Sequence, residues 1–190
     1  MRKWHLGHGL LALALVVSAV TSADATTLRR MGLDDLARTN EQAVVGRVID
    51  VNSYWNADGS FILSDVTVAV DRVIKGNPNE REITVTLMGG TVGETTTMIV
   101  AGAELAVGRE YILFLNTEDL PAAPRVTTVR DHCQGTFEVV RDAKGDRALS
   151  QARNHPLLTD DFGLVEPPGG KDGLPLDDII REVGRLARTR

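Results

Sequence analysis

The amino-acid sequence predicts a mainly β fold, a small antiparallel β-barrel with a short N-terminal helix and a C-terminal amphipathic helix. Three observations predict it. Runs rich in valine, isoleucine and threonine alternate apolar with polar residues across 33–150. Glycine-rich turns separate these runs, and few helical segments intervene, which argues against a parallel α/β sheet.

Before the domain, the chain opens like an export signal. Arg2 and Lys3 form a positive start, and an apolar run extends from Leu10 to Val17 and on through Ala19 and Val20. That run is shorter than the roughly 20 apolar residues a membrane-spanning helix needs, and Thr21, Ser22 and Asp24 end it. Ala23-Asp24-Ala25 places small residues where a signal peptidase reads them, so residues 1–25 are expected to be removed, leaving Thr26 as the new terminus. The only cysteine, Cys133, is far from this cut, so no thiol is available there for a lipid anchor. The expected product is exported, periplasmic or secreted, with no membrane span.

Removal of Arg2, Lys3 and Asp24 takes the formal charge from −5 to −6. An acidic surface repels phosphate backbones, so nucleic acid is not an expected partner. One cysteine allows no internal disulfide, and burial must supply the stability. The remaining length suits one domain with its own core.

Along that domain, Leu33, Leu36 and Ala37 share one face of a short helix, with Asp34 and Asp35 near its start and Asn40 at its end. A long strand follows from Ala43 to Trp55, with Gly46 marking a bulge or bend. Asn56-Ala57-Asp58-Gly59 turns the chain into a second strand, Phe61 to Ile74, where Ile62, Val66, Val68, Val70 and Ile74 hold alternate positions. Lys75-Gly76-Asn77-Pro78 ends it, because Pro78 has no amide hydrogen for a ladder. Further strands are predicted over Glu82–Met88, Thr95–Val100, Glu110–Asn116, Val126–Arg130 and Thr136–Arg141, with a turn at 142–146 leading back toward Ala148. The long first hairpin and the bend at Gly46 suit a sheet that closes edge to edge. Residues 151–175 read as an irregular linker, and Leu176, Ile179, Ile180, Val183 and Leu186 then lie at helical spacing over 176–188.

The order Leu36-Ala37, Ala43-Val44-Val45-Gly46-Arg47-Val48, Val73-Ile74-Lys75-Gly76, Gly89-Gly90, Gly108-Arg109-Glu110-Tyr111-Ile112-Leu113-Phe114-Leu115 and Gln134-Gly135-Thr136-Phe137 resembles a loosely defined group of exported bacterial proteins of unassigned function. More distantly, the first half is similar to the netrin-like or tissue-inhibitor-of-metalloproteinase barrel, an OB-type fold. The resemblance covers roughly 33–140 and implies an OB-like or netrin-like barrel. The inhibitors of that family place an N-terminal cysteine on a protease zinc. This chain has Thr26 or Asp24 at that position, so the resemblance carries the fold and not that mechanism.

Several residues carry candidate chemistry. Tyr54 and Trp55 lie beside the first hairpin turn, where aromatic side chains serve recognition, and alternation sends them to opposite faces. Gly90, Thr91 and Glu94 belong to a glycine-rich β-β loop; it matches neither a dinucleotide nor a Walker phosphate pattern. His132 and Cys133, with His155 and Asp160 or Asp161, supply metal-donor types without the short repeated spacing of structural zinc sites. If the strand from Val126 ran on, His132 and Cys133 would face opposite ways and could not form a thiolate–imidazole pair. No nucleophile elbow and no zinc-protease helix motif occurs. The expectation is an exported, non-enzymatic binding or interaction module, without a cofactor, whose loops meet a protein or cell-envelope component. Two alternatives are a metal- or thiol-dependent function centred on Cys133 and loop-mediated regulation of a secreted protease.

Overall fold

A computed structural model describes residues 30–143, 145–154 and 172–189. The proposed signal segment 1–25 and its cut, the middle of the linker at 155–171, and with it His155, Asp160 and Asp161, lie outside the described residues.

The fold is mainly β, with helix α1 at Leu33–Thr39 and helix α2 at Leu176–Arg188. Strands β1 (Gln42–Trp55), β2 (Ile62–Lys75) and β3 (Glu82–Met88) form an antiparallel meander. A small separate hairpin, β4 (Gly90–Val92) and β5 (Thr95–Thr97), follows. Then come β6 (Glu110–Leu120), β7 (Ala123–Val129), β8 (Thr136–Asp142), β9 (Gly145–Ser150) and the two-residue β10 (Leu174–Pro175). The main sheet runs β10-β9-β8-β6-β1-β2-β3, with β7 also paired to β6. Leu115 of β6 pairs with Val129 and Leu113 pairs with Thr136, so β7 and β8 lie end to end along one side of β6.

The sheet curls until β3 comes alongside β7, but no ladder joins them, so the barrel expected from the sequence is not closed. Residues Ile99, Gly102 and Ala103 stand at this seam, together with Leu87 of β3 and Thr128 of β7, around a gap of about 170 Å³. The chain between β5 and β6 thus occupies the place where two edges would have to meet. The strand predicted over Thr95–Val100 accordingly stops at Thr97.

Both faces of the central strands are buried, which explains the near-continuous apolar run Tyr111 to Leu115. On the inner face Val44, Val48, Val66, Val68, Val85 and Leu113 pack together. On the outer face Val45, Ile112, Phe114 and Phe137 meet Leu36 of α1 and Ile179, Val183 and Leu186 of α2. Phe114 and Phe137 stack edge to face with centroids 5.9 Å apart. The apolar stripe of α2 is therefore docked on the sheet.

The short sequence motifs have structural roles. Lys75 Nζ donates to the carbonyls of Ala37, at 2.8 Å, and Asn40, which ties the last turn of α1 to the end of β2. Asn116 Nδ2 donates to Asn40 Oδ1 at 2.8 Å and Asn40 Nδ2 to the Leu36 carbonyl at 2.9 Å, so the same helix end is bound to β6. The Gln134 side chain accepts the Met31 amide at 2.8 Å. An added Cβ at Gly135 would sit 3.1 Å from the Phe114 carbonyl, close enough to make glycine the best fit where the β7–β8 link folds back on β6.

Glu110, 6 % exposed, ties three strands together. It accepts two bonds from Arg141 of β8, at 2.7 and 2.9 Å, and one from Arg47 of β1 at 3.1 Å. The hydrogen bonds from Arg141 hold its carboxyl below the usual carboxylate range against the opposing effect of burial. A carboxylate with a lowered folded pKa stabilises the fold above its unfolded pKa, and that contribution disappears as pH falls through the folded value. Glu110→Gln should therefore cost roughly 1–3 kcal/mol at pH 7 in urea denaturation. The gap between wild type and variant should narrow as pH falls below about 4; a gap independent of pH would show that the charge of Glu110 contributes nothing.

Candidate functional site

Alternation along β1 and β2 builds one open cleft. Val51 pairs with Val66 and Ser53 with Ser64, and paired residues share a face, so these four side chains project from the inner side of the curl. Leu87 of β3 continues the row beside Ser64. The segment 98–106 forms the opposite wall of a cleft of about 490 Å³.

That wall is held by bonds from distant parts of the chain. The Cys133 amide donates to the Ala101 carbonyl at 2.8 Å. The Gln151 side chain both accepts from the Glu104 amide, at 3.0 Å, and donates to its carbonyl, at 2.6 Å. The Ala106 amide donates to the Tyr111 hydroxyl at 3.1 Å. With its backbone fixed this way, the wall presents apolar side chains to solvent: Met98 is 85 % exposed and Val100 70 %. Val51 and Met88, which also line the cleft, are exposed as well. Apolar side chains grouped at a cleft mark a binding surface more often than isolated ones do.

At the back of the cleft the Ser64 hydroxyl donates to the Gly89 carbonyl at 2.7 Å, so the Ser53 hydroxyl, 2.8 Å away, is the donor to Ser64. Both hydroxyl hydrogens are thereby engaged. Gly90 sits against them: an added Cβ would lie 2.3 Å from Ser64 Oγ and 2.5 Å from Ser53 Oγ, and the backbone φ of +134° also favours glycine. At the edge of the cleft Arg109 donates to Glu138 at 2.8 Å. This arrangement offers an apolar floor, a fixed polar back and an ion pair at the rim, which suits holding a ligand.

The residues singled out in the sequence fall in different places. Gly90 lines the cleft, whereas the Thr91 hydroxyl is bonded to Thr96 at 2.9 Å and Glu94 is exposed at the tip of the β4–β5 hairpin. Tyr54 and Trp55 do point to opposite faces of β1. Tyr54 is half-buried on the outer face, and its hydroxyl donates to Asp65 Oδ1 at 3.1 Å, which also accepts from Thr86 at 2.7 Å. Burial first, and then Asp65, push the Tyr54 phenol up. Trp55, on the face that bears Ser53, is 43 % exposed.

His132 and Cys133 do not continue a strand. They begin a 3-10 turn, His132–Gly135, entered through left-handed backbone at Asp131 (φ 60°) and His132 (φ 61°). The opposite-face geometry expected for a strand therefore does not apply. Cys133 is 3 % exposed between Ala101 and Ala152, and burial pushes its thiol up, away from an activated thiolate. Among the described residues, no three histidine, cysteine or acidic side chains gather to hold a metal. Sequence reasoning missed Met98 and Val100. Their signal was an apolar stretch running into Ala101-Gly102-Ala103 without alternation, read as the end of a strand.

No family model matches the chain, and no curated protein matches it. The site rests on its own geometry. Among the described residues, no helix is long and apolar enough to cross a membrane.

A thiol buried in this way reacts slowly. A chromogenic disulfide reagent at pH 8 should label Cys133 in the folded protein about 100-fold more slowly than in denaturant. Equal rates in both would show an open, reactive thiol.

Proposed function

We propose that the protein is an exported binding module that holds an extended apolar segment of a protein or cell-envelope partner in the cleft between β1–β3 and the 98–106 wall. The observation that carries this reading is the exposure of Met98, which lines a cleft of about 490 Å³ floored by Val51, Val66 and Leu87, with exposed Val100 two residues further along the same segment. Water is excluded from those side chains when a partner of matching shape lies over them. Burying Met98 and Val100 fully would contribute roughly 1.5–3 kcal/mol each. The fixed hydroxyls at the back and the Arg109–Glu138 pair at the rim supply orientation.

The export part of the reading rests on Arg2, Lys3, the apolar run after Leu10 and Ala23-Asp24-Ala25. N-terminal sequencing of the protein recovered outside the cytoplasm should begin at Thr26. Recovery of the intact Met1 form in the cytoplasm alone would remove export.

An apolar fluorescent probe tests the cleft. The Met98→Asp and Val100→Asp pair should weaken its binding about tenfold or more, since each substitution sets a charge where apolar area is buried. The urea midpoint should stay near that of the wild type, because both side chains are exposed in the fold. Unchanged probe binding would place the apolar surface elsewhere. A photo-crosslinker at position 98 should then capture a species from the envelope fraction that one at exposed Asn79 does not.

A further inference from the structure

We infer that the groove between β2 and α2 is a separate binding site for a small oxyanion of the phosphate or sulfate type. The groove, of about 550 Å³, has three guanidinium side chains along it, Arg72 from β2 and Arg181 and Arg188 from α2. Its apolar floor includes Ile74 and Ile180, and Asp177 is the single carboxylate lining it.

Arg181 is partly neutralised by Asp178, 2.6 Å away. Among the described residues, Arg72 and Arg188 enter no ion pair. Planar guanidinium groups donate in a fork that matches the oxygens of phosphate or sulfate. Their position on one groove is set by the fold. Arg181, Gly184 and Arg188 lie at i, i+3 and i+7 on α2, which is one helical stripe. Arg72 pairs with Val45, an outer-face residue, and so projects to the same side of the sheet as α2.

Gly184 is an independent observation. It is buried in the middle of α2, where glycine weakens a helix relative to alanine. Packing does not require it: an added Cβ would meet nothing closer than Arg188 Nη1 at 3.8 Å and Ile74 Cγ2 at 3.9 Å, ordinary contact distances. The backbone does not require it either, since Gly184 has no positive φ. What the glycine does preserve is an open floor between Arg181 and Arg188.

The charge of the chain selects the size of the ligand. With a formal charge of −5, or −6 once residues 1–25 are removed, the protein repels an extended polyanion along most of its surface. A single oxyanion in the groove responds chiefly to charges within a Debye length, about 8–10 Å, where the three arginines outnumber Asp177 and Asp178.

The test is an amide-resonance titration of the purified, 15N-labelled protein at low chloride. The probes are inorganic phosphate, inorganic sulfate and vesicles of phosphatidylglycerol in phosphatidylcholine, with phosphatidylcholine vesicles as the blank. Inorganic phosphate or sulfate is expected to give saturable shifts at Arg72, Gly184 and Arg188. The Arg72→Ala, Arg188→Ala variant, with an unchanged circular dichroism spectrum, should weaken this about tenfold or more. Saturation by free phosphate identifies a soluble ligand, and a response to phosphatidylglycerol vesicles alone assigns the same oxyanion to a lipid headgroup. No response to any probe, or the same response in the double variant, overturns the proposal. Gly184→Ala should raise the melting temperature by about 2–4 °C, whereas Gly184→Leu should fill the groove and abolish the shifts. A lowered melting temperature in Gly184→Ala would show that packing holds the glycine and would likewise overturn it.

Discussion

The close approach of β1 to β2 at Gly46 shapes the molecule. A Cβ there would lie 2.5 Å from the Ala69 carbonyl and 2.7 Å from Val68 Cγ1, so only glycine lets the two strands meet. At the same point Val45 pairs with Arg72 and Gly46 with Val70, which leaves Asp71 as an extra residue on β2. A bulge of this kind bends and twists its strand and reverses which residues face inward. Before it Val66, Val68 and Val70 belong to the inner core. After it Val73 faces inward while Ile74 packs on the outer one. The bend also marks where β1 leaves β6, whose pairing ends at Arg47 with Glu110. Beyond it β1, β2 and β3 continue as a curled flap, and the 98–106 segment takes the place where β6 would have continued.

Much of this frame was legible in the sequence because it rests on local signals. Richness in valine and isoleucine gave β1, and period-two alternation gave β2 and β3, within a residue or two, while the helical spacing of Leu33, Leu36 and Ala37 and of Ile179, Ile180 and Val183 gave both helices. The bulge or bend expected at Gly46 falls where the register shifts, but the close approach of the Ala69 carbonyl that demands glycine there is tertiary. Closure was not legible. Whether β3 and β7 pair depends on the path of residues 98–106, and that path is fixed by Cys133, Gln151 and Tyr111, which are distant in sequence. Alternation within a strand carries no information about such contacts.

The candidate site was legible to the same extent. Gly90 could be singled out because a glycine pair breaks a strand pattern, but its reason, the two serine hydroxyls of β1 and β2, is tertiary. Thr91 and Glu94 adjoin it in sequence, but in the β4–β5 hairpin they line no part of the cleft. Met98 and Val100 fall in the strand predicted over Thr95–Val100, because apolar side chains in a row satisfy that pattern. Only the anchored backbone beneath them shows that they face solvent. The motifs Val73-Ile74-Lys75-Gly76 and Gln134-Gly135-Thr136-Phe137 proved to be fastenings, with Lys75 closing α1 and Gln134 holding the amide of Met31.

The bulge at Asp71 also separates the two surfaces. Ser64 and Val66 reach the cleft from the inner face of β2, whereas Arg72 and Ile74 reach the groove under α2 from the outer face. From Val66 to Arg72 the strand advances roughly 20 Å at its usual rise per residue. Sites at that distance, on opposite faces and without shared side chains, are expected to act additively. Occupation of one cannot exclude the other by contact, because the sheet stands between them. If regular alternation ran on through Asp71, Arg72, two residues after inward Val70, would point into the valine core formed by Val44, Val68 and Val85, where a guanidinium has no water and no partner. The irregularity that bends the sheet to form the cleft is thus also what permits an arginine at position 72.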